Sequence, residues 1–232
     1  MPYPKHPDSI LITNEFYPKG LTEKNNYDYY QSVKDKLLFE IFNRDLIIFL
    51  AIGDRITVLR RGKTTHFVRL NRGNFDDVFH ARMLSIHCTM KSIERFGIID
   101  IDTDNFKEAK QAAIDTYEFA NSRIPFIDNA WIKFTGKSSF HIMCNFKNDM
   151  YIDRTKILLR NYLQKSPLAK DYDIDLVTRG ERTRPNLDLS PMKWRGGYIA
   201  LHSLSTIGLR CMKIAPHKLR SFQREDAIIT TT

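Results

Sequence analysis

Cysteine is scarce in this chain: only Cys88, Cys144 and Cys211 carry thiols, far apart and never in C-x-x-C spacing. An odd number of scattered thiols gives neither a disulfide framework nor a zinc knuckle, so core packing is their expected role and no zinc is expected. Long apolar runs are missing too. No stretch reaches the length that crosses a bilayer as a helix, and the opening MPYPKHPDS lacks the apolar segment of a secretory leader, so a cytoplasmic protein with no membrane partner is expected. Acidic residues are outnumbered, 27 against 36 Lys and Arg, for a net charge of +9. Such a balance favours a polyanionic partner, nucleic acid or nucleotide phosphate above all. Repeats, low-complexity tracts and linkers are absent, which points to a single domain over 1–232.

What is present suffices for a sizeable core: 42% of the 232 residues are hydrophobic and 12% aromatic. In DYYQSVKDKLLFEIF, residues 28–42, Tyr30, Val33, Leu37 and Ile41 recur three and four apart and predict a helix packed on one face. DLIIFLAI, RITVLR and THFVRL read as successive strands. Asp104 is a plausible N-cap for a second helix carrying Phe106, Ala109, Ala113, Tyr117 and Ala120 on one side. AWIKF and FHIMCNF flank the turn TGKSS as a hairpin, YIDRTKILLRNYLQK predicts a third helix, and residues 186–214 return to short strands. Locally paired strands interrupted by a few helices imply an α/β (α+β) fold with a mixed, largely antiparallel sheet.

The stretch FGIIDIDTDNF, residues 96–106, ends an apolar strand in aspartates spaced two apart. Side chains two apart on a strand share a face, so Asp100 and Asp102 present their carboxylates side by side. Two readings stay open: a strand that ends in a solvated acidic turn, or a site whose hard oxygen ligands hold a divalent cation and substrate phosphates.

The turn KFTGKSSFHI, residues 133–142, adds a second element. Small residues let the backbone approach a phosphate, Lys137 can neutralise charge, and His141 can donate to a phosphate oxygen. Taken alone it is an ordinary polar hairpin. A phosphate cradle beside a D-x-D is a more specific constellation.

FGIIDID followed some forty residues later by TGKSSFH resembles the motifs of the archaeo-eukaryotic primase superfamily, whose D-x-D and S-G-x-K-G-x-H elements bind metals and the incoming nucleotide. Within it, the chain is most similar to the polymerase domain of bacterial DNA ligase D. ILITNEFYPKGLTEKNNYDYYQSVKDKL resembles that family's opening segment, VLRRGKTTHFVRL the following strand pair, and LSIHCTM the strand whose histidine, here His87, faces the nucleotide. The similarity spans roughly residues 10–214. It implies a DNA-binding segment over about 1–45, a catalytic core over about 46–214 and a short tail, 215–232, without a zinc-binding insertion.

The resemblance also places a third carboxylate. DYDIDLVT offers Asp173 and Asp175, but the layout of NLDLSPMKWRGGYIALHSLS matches the family's third aspartate strand at Asp188, with His202 and Ser203 where Tyr-Ser is usual. Asp188 is therefore the expected third ligand, and Asp173 and Asp175 are reserve candidates read as a solvated edge. Pro191 and Met192 stand where the family has glutamine or asparagine, and Ser205 replaces an expected arginine, leaving Arg210, or Arg182 and Arg184, as triphosphate contacts.

The implied activity is template-directed nucleotidyl transfer with two Mg²⁺ or Mn²⁺ ions on Asp100, Asp102 and Asp188. Thr135, Lys137, Ser138, His141, His87 and Ser203 would surround an NTP or dNTP. Lys19 and Lys24, within the expected turn YPKGLTEKNN, would meet a DNA 5′-phosphate. Primed, gapped or broken DNA, a separate DNA ligase and an end-binding protein are the implied partners, in end-joining repair at the nucleoid. A replicon's stand-alone primase is the alternative, with a non-catalytic nucleic-acid-binding module or a metal-dependent phosphoesterase further off.

Overall fold

The computed structural model describes residues 4, 6–52, 55–59, 68–75, 82–176 and 183–229. They gather into two compact units, the first formed by 1–89, 197–212 and 223–232, the second by 90–196 and 213–222.

The first unit opens with a hairpin of β1 (Ile10–Asn14) and β2 (Tyr17–Thr22). Asn14 builds its turn, its Oδ1 accepting from the amides of Phe16 at 2.9 Å and Tyr17 at 3.1 Å. The segment YPKGLTEKNN is thus a strand leading into a helix instead of the expected turn. The helix, α1 (Glu23–Glu40), starts five residues before the predicted span of 28–42, because Thr22 and Asn25 close a reciprocal capping box. Tyr30, Leu37 and Ile41 are buried as the spacing predicts. Strands β3 (Leu46–Ile52), β4 (Arg55–Leu59) and β5 (Met83–Thr89) join β11 (Gly197–Ile199) in an antiparallel sheet ordered β11-β5-β3-β4. Most of VLRRGKTTHFVRL lies outside the described residues; Val68 forms an isolated bridge to Leu46.

The second unit is built on β6 (Ile93–Asp102), β7 (Ile127–Phe134), β8 (Phe140–Tyr151), β9 (Asp173–Ile174), β10 (Asn186–Asp188) and β12 (Met212–Ile214), in the order β12-β7-β8-β6-β10-β9. β8 pairs antiparallel with β6 and β7, β10 antiparallel with β6, and β9 parallel with β10. The sheet is mixed and largely antiparallel, as expected. Helix α2 (Phe106–Arg123) is capped by Asn105, not Asp104: the Asn105 carboxamide accepts from the amides of Lys107 and Glu108. Phe106 stacks on Phe140, and Phe134 and Phe222 complete the cluster. Burying each phenyl ring stabilises by roughly 1.5–3 kcal/mol. Helix α3 (Ile152–Gln164) follows β8 directly, close to the predicted span.

Candidate active site

The opposite face of that sheet carries the charged residues. Asp188 on β10 stands across from Asp100 on β6, Asp100 across from His141 on β8, and His141 across from Lys133 on β7. Directly paired residues share a face, with Cβ atoms roughly 4.5–5.5 Å apart. One row therefore runs Asp188, Asp100, His141, Lys133 over four strands. Asp102, two residues beyond Asp100, lies on the same face and is paired with Asn186.

The centre of the row is a close contact: His141 Nε2 lies 3.6 Å from Asp100 Oδ1, with His141 almost buried and the Asp100 side chain 26% exposed. Asp188 is half-buried, and its carboxylate accepts from the Ser190 amide at 2.8 Å and the Ser190 hydroxyl at 2.6 Å. Three carboxylates on one face are the hard oxygen donors that suit Mg²⁺ or Mn²⁺. Among the described residues, however, no three His, Cys, Asp or Glu side chains are gathered tightly enough to hold an ion. The register fits a divalent cation; the rotamers, with Asp188 turned to Ser190, are not closed on one.

The turn from β7 to β8 is clamped at its base. Thr135 donates from its amide and its hydroxyl to the Ser139 carbonyl, at 3.1 and 3.0 Å, and its Oγ1 lies 2.8 Å from Ser139 Oγ. Gly136 takes φ +85°, a left-handed conformation that glycine accepts at no steric cost. Lys137 is exposed at the tip and Ser138 is half-exposed. Thr135 is buried and occupied within the turn, so the groups open to an incoming anion are Lys137 and Ser138.

Asp173 and Asp175 do not form the solvated edge expected of them. Asp173 accepts from Arg184 at 2.7 Å, an ion pair that also occupies one of the arginines expected near a triphosphate. Asp175 is buried: Arg160 pairs with its Oδ2, while Lys156 lies 3.4 Å from Oδ1, to which the Leu189 amide also donates at 3.1 Å. Burial opposes its ionisation, but these donors and cations hold its carboxyl below the usual carboxylate range. Arg182 lies outside the described residues.

The remaining expected residues belong to the first unit. His87 is half-exposed on β5, its Nε2 2.9 Å from Ser85 Oγ and its ring 4.8 Å from that of Phe49. Ser203 is fully buried, with its hydroxyl accepting from the Ile86 amide at 2.7 Å and donating to the Leu204 carbonyl at 3.0 Å. Tyr30 joins the same network, and burial pushes its phenol up to about 12. Ser203 thus knits α1 to β5. Arg210 donates to the Asp226 carbonyl at 2.7 Å. Lys19 is exposed on β2, and Lys24, half-exposed in the first turn of α1, pairs with Asp28.

Sequence reasoning missed Lys133 and Ser190. A lysine inside the otherwise apolar AWIKF was the available signal, because a charge in such a strand needs a polar neighbour across the sheet, and the structure buries Lys133 fully. For Ser190, the spacing Asp-x-Ser is too common to single it out.

No family model matches the sequence, and no curated protein matches it. Among solved structures, the polymerase domain from Mycobacterium tuberculosis ligase D in complex with DNA superposes with a TM-score of 0.74 at 14% identity, covering 94% of this chain and 88% of that one. The chain has the fold of that polymerase domain. Near-complete coverage at such low identity means that the architecture is shared over most of the chain while most residues differ. The expected fold class is therefore the observed one. No helix among the described residues is long and apolar enough to cross a membrane.

Proposed function

We propose that this chain is a template-directed nucleotidyltransferase of the primase-polymerase type, acting on primed, gapped or broken DNA with NTPs or dNTPs. The observation that carries the reading is the shared face of Asp100, Asp102 and Asp188, with His141 at the end of the carboxylate row, in a fold also found in a DNA-bound polymerase domain. Asp100, Asp102 and Asp188 would hold two divalent cations, Mg²⁺ or Mn²⁺. Bound there, the ions supply activation of a 3′-hydroxyl and neutralisation of the triphosphate.

The chain's own residues do the positioning. His141, fixed against Asp100, offers a ring N–H to a phosphate oxygen, and the exposed Lys137 adds positive charge at the turn tip. Gly136 and Ser138 let an anion approach the backbone closely. Ser190 holds the Asp188 carboxylate until a cation competes for it. Lys19 and Lys24 are the proposed contacts for a downstream 5′-phosphate, and the biological setting that fits them is gap filling in end joining, with ligation left to a separate enzyme.

The test is incorporation of labelled nucleotide on a primed template, with and without a downstream 5′-phosphate, beside an unprimed single strand. Stimulation by the phosphate supports the repair role. Primer synthesis on the unprimed strand with no phosphate effect selects the stand-alone primase. Release of phosphate without incorporation, or binding with neither, overturns the polymerase reading.

A further inference from the structure

Strand β10 is three residues long and ends at Asp188, so its own ladder with β6 extends no further toward the C-terminal side of that aspartate. The support comes from residues 173–176. The Asp173 amide donates to the Pro185 carbonyl at 3.0 Å and the Asp175 amide to the Leu187 carbonyl at 2.9 Å. Asn186 uses its side-chain amide against Leu176, accepting from its N–H at 3.1 Å and donating to its carbonyl at 3.3 Å. Beyond Asp188 the ladder is continued by a side chain: Asp175 Oδ1 accepts from the Leu189 amide at 3.1 Å. Asp175 reaches that amide from the left-handed region, φ 49°, a conformation that Asp and Asn tolerate better than most residues. Its carboxylate is 1% exposed and is anchored from α3 by Arg160 and by Lys156 at 3.4 Å.

A buried carboxylate between two cations is a poor way to stabilise a fold, because desolvation offsets most of the Coulombic gain and well-packed apolar residues do as well. It does fix geometry. Resting on the reading of Asp188 as a metal ligand, we propose that Asp175 is a positioning residue for the third carboxylate. It ties the peptide directly after Asp188 to Lys156 and Arg160 of α3, so that Asp188 stays in register with Asp100. Both oxygens of Asp175 are already engaged, Oδ1 by the Leu189 amide and Lys156 and Oδ2 by Arg160, which separates this role from direct ligation.

The test uses the full chain and Mn²⁺ alone, with free Mn²⁺ followed by its electron paramagnetic resonance signal and amide exchange read at Leu189. Removal of outer-shell partners lowers metal affinity by roughly 10–100-fold in other sites. Asp175→Ala is expected to weaken Mn²⁺ binding by about tenfold or more and to speed exchange at Leu189. Asp175→Asn, which keeps an oxygen for that amide, retains most of the affinity. Should Asp175→Ala fail to fold, the Asp175→Ala/Arg160→Leu double variant, which leaves one fewer unpaired cation, carries the same comparison. Wild-type Mn²⁺ affinity, or unchanged Leu189 exchange, in the folded alanine variant overturns the proposal. Absence of Mn²⁺ binding in the wild type overturns the metal reading instead, and this role falls with it.

Discussion

His141 and Asp100 face each other across the β6–β8 ladder, with Nε2 3.6 Å from Oδ1. This pair sets the strand that follows the Thr135–Ser139 turn against the carboxylate row, because both residues sit on paired strands of the same sheet. Replacing His141 by Ala is expected to raise the nucleotide KM and lower kcat together, as loss of a triphosphate donor does. Steady-state kinetics beside thermal unfolding checks it. A variant that melts early yet has an unchanged KM would mean that His141 serves packing alone.

The carboxylates themselves make the sharper test. On the proposed reading, Asp100→Asn and Asp188→Asn each remove a hard anionic ligand at nearly constant volume, so incorporation should drop by about a hundredfold or more while DNA affinity without nucleotide holds. Filter binding and primer extension on the same preparations separate the two. Retained activity in Asp188→Asn would remove Asp188 from the site.

Lys24 pairs with Asp28 on the surface of α1, an interaction worth about 0.3–0.5 kcal/mol at most. Lys24→Ala should therefore leave the melting temperature nearly unchanged. Stimulation of gap filling by a 5′-phosphate should disappear while extension of a simple primer continues. Equal stimulation in variant and wild type would place the phosphate contact elsewhere.

Burial holds the His202 imidazole below its ordinary value of 6.5, with Lys36 and Arg210 acting in the same direction and Glu40 opposing. The unfolded chain therefore binds the proton more readily. The stability that neutral His202 contributes is complete above about pH 6.5 and is lost as the pH falls through its lower folded value. Because φ at this position is 67°, Asn is the replacement that fits the backbone. The melting-temperature difference between wild type and His202→Asn should shift against the wild type from pH 8 to 5. A constant difference would rule this linkage out.

Gly196 closes the loop that follows Asp188. A Cβ there would lie 2.0 Å from the Pro191 carbonyl oxygen, a backbone atom that cannot move aside alone. Gly196→Ala is expected to cost about 1–3 kcal/mol, read by chemical denaturation. An unchanged midpoint would show that the loop relaxes freely.

Faces and turns were legible in the sequence because they depend on local spacing. The period of two in IIDID put Asp100 and Asp102 on one side, and the small residues between AWIKF and FHIMCNF marked the hairpin that carries His141. Helix ends were less legible. Thr22 and Asn105 cap through specific hydrogen bonds that an apolar period does not report, so α1 began earlier than predicted and Asp104 was passed over.

The sequence by itself determined the strand faces, the charged turn and a short choice of third carboxylates, since each follows from residues close together in the chain. Which of these aspartates lies beside Asp100 is set by the tertiary structure. It laid β10 beside β6, which aligned Asp188 with Asp100, and packed α3 where Arg160 and Lys156 take up Asp175. It also buried Ser203 and set Lys133 across from His141. The register between strands separated by more than eighty residues, and the pairing of a buried charge, depend on how distant segments pack, and no local period encodes that.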